Sequence, residues 1–446
     1  MKTRNNKFRE RMPPKRTPKY ASRYVAARGL EDVLGKLVPL DQALTGQALF
    51  AQLEPRDRAF AHLIAASTLR RLGQIDKVLS PFIKKAPPSY IMAVLRTGAA
   101  QVLFLGTAPH AAVDGAVTLL KRSKKTTRAA GMANAVLRRV SEQGEALLSK
   151  TRTLDNVPKW LAASWRESYG ETNASAMADM LAQDPPLDLS VKENPQNWAE
   201  ELGAQLLPGG TIRREKIGNV PSLAGFDEGA WWVQDISASL PVKLLGDVKG
   251  KRVLDMCAAP GGKTLQLAAL GADVTALDKN KLRLGRLIEN LKRTGLNATI
   301  AAGNAKDWRD PQNPDGGGFD MVLLDAPCSA TGTYRRRPDV LHLKTPENVA
   351  SLMRVQEKLL LAAAKHVKTH GTLIYCTCSL EAGEGEEQVA KFTKNKSNFR
   401  LNSILSSEMF SLSQSITEAG YIRILPPFLR EKGGMDGFFI ARFTSC

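Results

Sequence analysis

Five cysteines, at positions 257, 328, 376, 378 and 446, are the side chains of this 446-residue chain best able to do covalent chemistry. A thiolate can bridge, ligate a metal or attack an electrophilic carbon. No CxxC pair is present and the spacings are not those of a disulfide framework, so neither a metal nor a stapled secreted scaffold is expected, and a reducing cytoplasm suits the chain. Cys328 closes Asp325-Ala326-Pro327-Cys328 and Cys378 closes Cys376-Thr377-Cys378, each just after an apolar run of strand length. Two thiols and a carboxylate at such strand ends suit a nucleophile working beside a binding loop. The alternative for any single cysteine is a small buried apolar residue, which is the expectation for Cys257 and Cys376; Cys446 is terminal.

The binding loop is Leu-Asp-Met-Cys-Ala-Ala-Pro-Gly-Gly-Lys-Thr at 254–264. A strand ends at Asp255, and a helix is expected to start near Lys263. Gly261 and Gly262 have no side chain to keep a ligand off the backbone. The loop is neither GxGxxG nor Walker A, which would need glycine where Cys257 stands, so ATP is not expected there. Taken alone it could be a tight turn. The next strand ends at Asp278, where a carboxylate can accept hydrogen bonds from both ribose hydroxyls of a nucleoside cofactor. Asn304 and Asp307 follow the third strand, and either could meet an adenine edge.

These side chains need a sheet to hold them. Apolar runs at 252–256, 273–277, 298–301, 319–324 and 371–375 alternate with helix-compatible segments, predicting an α/β fold with a mostly parallel sheet covered on both faces. Ligands bind such sheets beyond the carboxyl ends of the strands. Upstream, from Tyr20 to about Leu148, apolar residues recur at three and four, as in Val33, Leu34, Leu37 and Ile91, Val94, Leu95, predicting an all-helical domain. Between them, 158–246 holds a helical piece (Trp160 to Tyr169) and an alternating Leu187, Leu189, Val191 strand, read as a small α/β connector. The domain plan is therefore a basic arm at 1–19, a helical domain at 20–148, the connector at 158–246 and the α/β domain at 247–446.

Sixty-three Lys and Arg against 44 Asp and Glu leave a formal charge of +19, which favours a polyanionic partner. Arg70, Arg71, Lys121, Arg122, Lys124, Lys125, Arg128, Arg138 and Arg139 are the candidate phosphate contacts, the alternative being a solvated interhelical face. No signal-peptide core and no apolar stretch of membrane-spanning length occurs, so no membrane partner is expected, and a cytoplasmic monomer is.

The runs at 255–264, at 324–332 (Leu-Asp-Ala-Pro-Cys-Ser-Ala-Thr-Gly) and at 377–379 (Thr-Cys-Ser) resemble the motifs of RNA 5-methylcytosine methyltransferases, the RsmB/NOP family, and Asp436-Gly437-Phe438-Phe439 resembles that family's closing strand. Asp57-Arg58-Ala59-Phe60, His110-Ala111-Ala112-Val113-Asp114 and Asn134-Ala135-Val136-Leu137-Arg138-Arg139 resemble the NusB-like domain of the bacterial Sun/Fmu branch, which methylates small-subunit ribosomal RNA. The resemblance implies a Rossmann-like class I methyltransferase domain that uses S-adenosylmethionine. It implies structured RNA as partner, 16S ribosomal RNA first, with transfer RNA or a non-catalytic ribosomal RNA binding factor as alternatives.

By resemblance, Cys378 is the attacking thiolate, Asp325 holds the cytosine, Cys328 serves the release step and Lys263 lies near cofactor and catalysis. Cys257, Ala258, Ala259, Pro260, Gly261, Gly262, Lys263, Asp278, Arg283 and Asp325 would line the cofactor, Asp325 serving pocket and catalysis alike, with Asn304 or Asp307 added by their place after the third strand. Two departures stand out. Asp278-Lys279-Asn280 lacks the second acid of a common Asp-x-Asp, and Ala382-Gly383-Glu384-Gly385 replaces a common Pro-Glu-Glu-Asn.

Overall fold

The computed structural model describes residues 18–215, 218–396 and 398–446. The basic arm, apart from its last two residues, lies outside the described residues. The chain divides after Asn156 into two compact units.

In the first unit seven α-helices are described: α1 (Ala21–Lys36), α2 (Leu40–Thr45), α3 (Pro55–Arg70), α4 (Leu72–Leu79), α5 (Ser89–Phe104), α6 (Pro109–Lys121) and α7 (Ala130–Leu148). Pro55 and Pro109 open α3 and α6, where a missing N–H costs no helical bond. The apolar stripes of α1, α4, α5, α6 and α7 meet in one core that includes Val94, Leu95, Leu120 and Leu137, all essentially buried. A Cβ at Gly98 of α5 would lie 2.7 Å from Leu137, so these helices approach as closely as glycine permits.

The second unit opens with α8 (Lys159–Leu181), bent at Gly170, whose φ of 77° and ψ of 164° break the helix where the sequence predicted the helical piece to stop. Then come β1 (Leu187–Val191), α9 (Pro195–Glu201), β2 (Gln205–Leu206), β3 (Ile212–Arg214) and β4 (Trp231–Val233). The strands form an antiparallel sheet in the order β2-β3-β1-β4 over buried Leu189, Ile212 and Trp231. Buried Asp188 of β1 takes two bonds of 2.6 Å from Arg213 of β3 and a third, of 3.1 Å, from the backbone of Ile236, which starts α10 (Ile236–Lys243).

The large sheet runs through β5 (Arg252–Met256), α11 (Gly262–Ala269), β6 (Asp273–Asp278), α12 (Lys281–Thr294), β7 (Thr299–Ala302), β8 (Phe319–Asp325), α13 (Val340–Leu343), α14 (Pro346–Ala364), β9 (Val367–Thr377), α15 (Glu386–Asn395), β10 (Phe399–Leu401), β11 (Ile422–Ile424) and β12 (Phe438–Ser445). Its order is β10-β12-β9-β8-β5-β6-β7, with β11 also on β12. From β9 to β7 every pairing is parallel, and β12 closes the sheet antiparallel to β9. This is the expected Rossmann-like sheet behind a helical domain. The chain leaves β5 toward β6 and β7, then returns to β8 on the other side, so β5 and β8 flank the point where a doubly wound sheet opens a ligand crevice. Register aligns the strand ends there, with Met256 beside Leu324 and Asp325 beside Cys376. Among the described residues, no helix is long and apolar enough to cross a membrane.

Candidate active site

The loop after β5 is pinned to the end of β6. Ala258 N–H donates to the Leu277 carbonyl at 3.1 Å and Ala259 N–H to Asp278 Oδ2 at 3.2 Å, while the Arg283 guanidinium donates to the Ala259 carbonyl. Cys257 adopts a left-handed φ of 64°, Pro260 follows a cis bond and is exposed, and Gly261 sits at φ 113°. A Cβ on Gly261 would lie 2.3 Å from the Leu287 side chain of α12, and the φ of 113° itself favours glycine there. Gly262 has ordinary clearance, with Gln234 at 3.7 Å.

Asp278, nearly buried, spends one lone pair of each oxygen on a backbone N–H, from Ala259 and from Asn280 at 2.8 Å, with Arg283 at 3.8 Å from Oδ2. A carboxylate has about four acceptor positions, so capacity for two hydroxyls remains. Asn304 and Asp307 bond each other at 2.8 Å and are exposed, so the Asn304 amide is already engaged.

At the crevice, Lys263 of α11 donates to Asp325 Oδ2 at 2.7 Å, and Cys376 Sγ lies 3.7 Å from Asp325 Oδ1. Burial opposes the lysine's charge, but Asp325, with lesser help from Cys376 and Asp255, holds the ammonium above the ordinary lysine range. Below them buried Asp255 accepts Thr264 Oγ1 at 2.6 Å. Its Oδ1 has no partner, and burial pushes its pKa up to about 7.

Cys328 and Cys378, on the turns after β8 and β9, lie 3.5 Å apart at sulfur. The Cys328 thiol is held well above its usual range, first by its hydrogen bond to Cys378 and then by burial. Burial likewise pushes Cys257 up to about 12, and Cys376 well above its usual value.

The structure thus brings together Lys263, Asp325, Cys328 and Cys378, and gathers residues 257–262 with Asp278 and Arg283 around the neighbouring strand end. Sequence reasoning missed Asp255 and the contact of Cys376 with Asp325, although a period-two reading of β9 would have set Cys376 and Cys378 on one face. In the helical unit Lys121, Arg122, Lys124, Lys125, Arg128, Arg138 and Arg139 are exposed. Arg70 is only 7% exposed, so as placed it is a structural cation rather than a phosphate contact. Arg71 lies over the Phe104 ring and Arg122 over Tyr24.

The residues at the ends of β5 and β6 fit S-adenosylmethionine. The unbonded Asp255 oxygen is a buried acceptor without a donor, suited to an ammonium group, and Asp278 retains lone pairs for a ribose.

Known structures share the architecture. The crystal structure of PH0851 superposes with a TM-score of 0.73 at 21% identity, covering 97% of this chain and 100% of that one. A methyltransferase homolog protein from Pyrococcus horikoshii gives 0.53 at 26% identity, over 65% of this chain and 95% of the other. Fold and site together define an S-adenosylmethionine-dependent methyltransferase with a NusB-type helical domain in front. Residues 242–444 match the family described as 16S rRNA methyltransferase RsmB/F, and residues 20–142 match the NusB family. Ribosomal RNA small subunit methyltransferase B of Citrobacter koseri is 33% identical over 395 residues, 83% of this chain and 89% of the relative. The chain belongs to this RsmB/F family of methyltransferases.

Proposed function

We propose that this protein methylates carbon 5 of a cytosine in 16S ribosomal RNA through a covalent adduct on Cys378. The observation that carries the reading is the pair of thiols 3.5 Å apart beside the Lys263–Asp325 ion pair, in a chain similar to named small-subunit ribosomal RNA methyltransferases.

When bound, S-adenosylmethionine supplies a methyl group on a sulfonium, an electrophile that an unactivated cytosine ring attacks poorly. The Cys378 thiolate adds to carbon 6, and the ring electron pair moves to carbon 5, which then takes the methyl. Asp325 binds the cytosine edge at N3 and N4 and favours the charge distribution that addition produces. Lys263 keeps Asp325 in place by the 2.7 Å contact. Loss of the carbon 5 proton returns the pair to the ring, the carbon–sulfur bond breaks and the thiolate leaves. Cys328, 3.5 Å from the nucleophile, serves this release step: its thiol proton passes to solvent, and its thiolate then takes the carbon 5 proton.

The test separates the cysteines. Cys378→Ser should give neither methyl transfer nor a protein–RNA band on a denaturing gel, because a hydroxyl is a far weaker nucleophile near neutral pH. Cys328→Ala should trap RNA in an adduct that disappears in the double variant. Trapping by Cys378→Ser but not by Cys328→Ala would reverse the roles. Bisulfite sequencing of 16S and transfer RNA from cells with and without the gene identifies the substrate.

A further inference from the structure

Glu384 lies just after Cys378 in the chain, and its carboxylate is fully buried beneath both cysteine turns. Oε1 accepts the backbone N–H of Ser329, the residue after Cys328, at 2.9 Å, and the Gln356 side chain at 2.8 Å. Oε2 accepts the Ser379 hydroxyl at 2.6 Å, and Ser379 is the residue after Cys378. The Ser329 hydroxyl also donates to Oε2 and lies 3.0 Å from that of Ser379. The Glu384 carbonyl in turn accepts Tyr375 Oη of β9 at 2.7 Å. A buried carboxylate is tolerated only when its lone pairs are filled, and the donors filling these are the two serines on the cysteine turns and Gln356 of α14, which also donates to the Pro327 carbonyl next to Cys328.

We propose that Glu384 is a positioning residue that clamps the turns of Cys328 and Cys378 to one another and so fixes the distance between the two sulfurs. The inference rests on the cysteine chemistry proposed above. Glu384 touches neither thiol; it acts through Ser329 and Ser379. Misplacing a reacting group by an ångström lowers a rate by about 100-fold, whereas substrate binding through other surfaces is unaffected. The effect therefore falls on kcat and not on KM for RNA.

The experiment compares Glu384→Ala with Glu384→Gln by single-turnover methyl transfer and by trapping on RNA carrying 5-fluorocytidine, whose fluorine cannot leave as a proton does. Alkylation of buried Cys376 reports local opening. Glutamine offers an oxygen to the Ser329 N–H and Gln356 and an amide that the serine hydroxyls can accept, so it preserves a clamp but not a charge. The expected result is a loss of about 100-fold for Ala, recovery to within about tenfold for Gln, unchanged KM for RNA and a protected Cys376. Ser379→Ala, which removes the Glu384 bond on the nucleophile's side together with the hydroxyl's contacts to Ser329, Thr331 and the Glu381 N–H, should lose about tenfold and decides the matter if Glu384→Ala does not fold. Glutamine as impaired as alanine, a wild-type rate in Glu384→Ala or Ser379→Ala, or a loss that tracks Cys376 exposure would overturn the clamp. A wild-type protein that traps no fluorocytidine RNA would overturn the clamp and the cysteine reading together, whereas wild-type trapping with unaffected variants would overturn the clamp alone.

Discussion

Asp255 ends β5 with one oxygen on Thr264 and the other unbonded, and burial pushes its pKa up to about 7. An unfolded aspartate titrates near 3.9, so between roughly pH 4 and 7 the folded chain keeps a proton that the unfolded chain has released. Stability from this group is therefore fully present below about pH 4, falls as pH rises through that window, and is lost above about pH 7. Three units correspond to an upper bound on the order of 4 kcal/mol. Asp255→Asn should thus melt relatively higher than wild type at pH 7.5 than at pH 5, without cofactor, by several degrees. A melting difference that is the same at both pH values would mean that the carboxyl titrates alike folded and unfolded. Asp278 differs, since both its oxygens already hold backbone N–H groups. Asp278→Ala should weaken S-adenosylmethionine binding about tenfold to a hundredfold by calorimetry and also loosen the turn at Ala259. Unchanged affinity would move the ribose site elsewhere.

The elements set these residues by close backbone approach as much as by strand order. A Cβ on Gly332 would lie 2.1 Å from the Gly437 carbonyl oxygen and 2.9 Å from that of Cys378, both main-chain atoms that cannot swing aside. Gly332→Ala should cost about 1–3 kcal/mol in urea unfolding and slow transfer by shifting the nucleophile's turn. Gly285→Ala, on α12 with nothing within 4 Å of its Cβ, should instead stabilise by about 0.5–1 kcal/mol. An undiminished unfolding midpoint for Gly332→Ala would show that the two turns yield easily. The strands were legible because buried parallel strands read as apolar runs, so 252–256 and 319–324 match β5 and β8 within a residue. Cys328 and Cys378 could be assigned to one cleft only if β8 and β9 were neighbours, and apolar runs do not encode which strands pair or in what register. The packing of Gly261 against Leu287 was not legible, because Leu287 comes from a helix that the loop's own sequence does not mention. Glu384 was visible only as part of an altered motif, since its burial is created by serines on two turns that are distant in sequence.

Across the whole chain the charge of +19 is a functional signal that needs no fold to be read, but which cations are free to use it depends on the fold. Arg70 is buried at the end of α3, whereas Lys121, Arg122, Lys124 and Lys125 stand exposed where α6 ends. Composition treats these residues alike, and burial separates them. An exposed cation that neutralises a phosphate releases a counterion, so each such contact adds a slope of about 0.7 on single-stranded and about 0.9 on duplex nucleic acid to the fall of log affinity with log salt. Replacing Lys121, Arg122, Lys124 and Lys125 together with serine in the full-length protein should make that slope shallower by about 0.7 for each phosphate lost, and weaken RNA binding most at low salt. Arg70→Ala should lower the melting temperature of the helical unit and leave the slope as in wild type, because a cation that does not reach solvent displaces no counterion. Binding of a 16S ribosomal RNA fragment measured from 50 to 300 mM salt reads both effects. A slope unchanged by the fourfold replacement would exclude this face from RNA contact, and a slope reduced by Arg70→Ala would mean that α3 opens on binding.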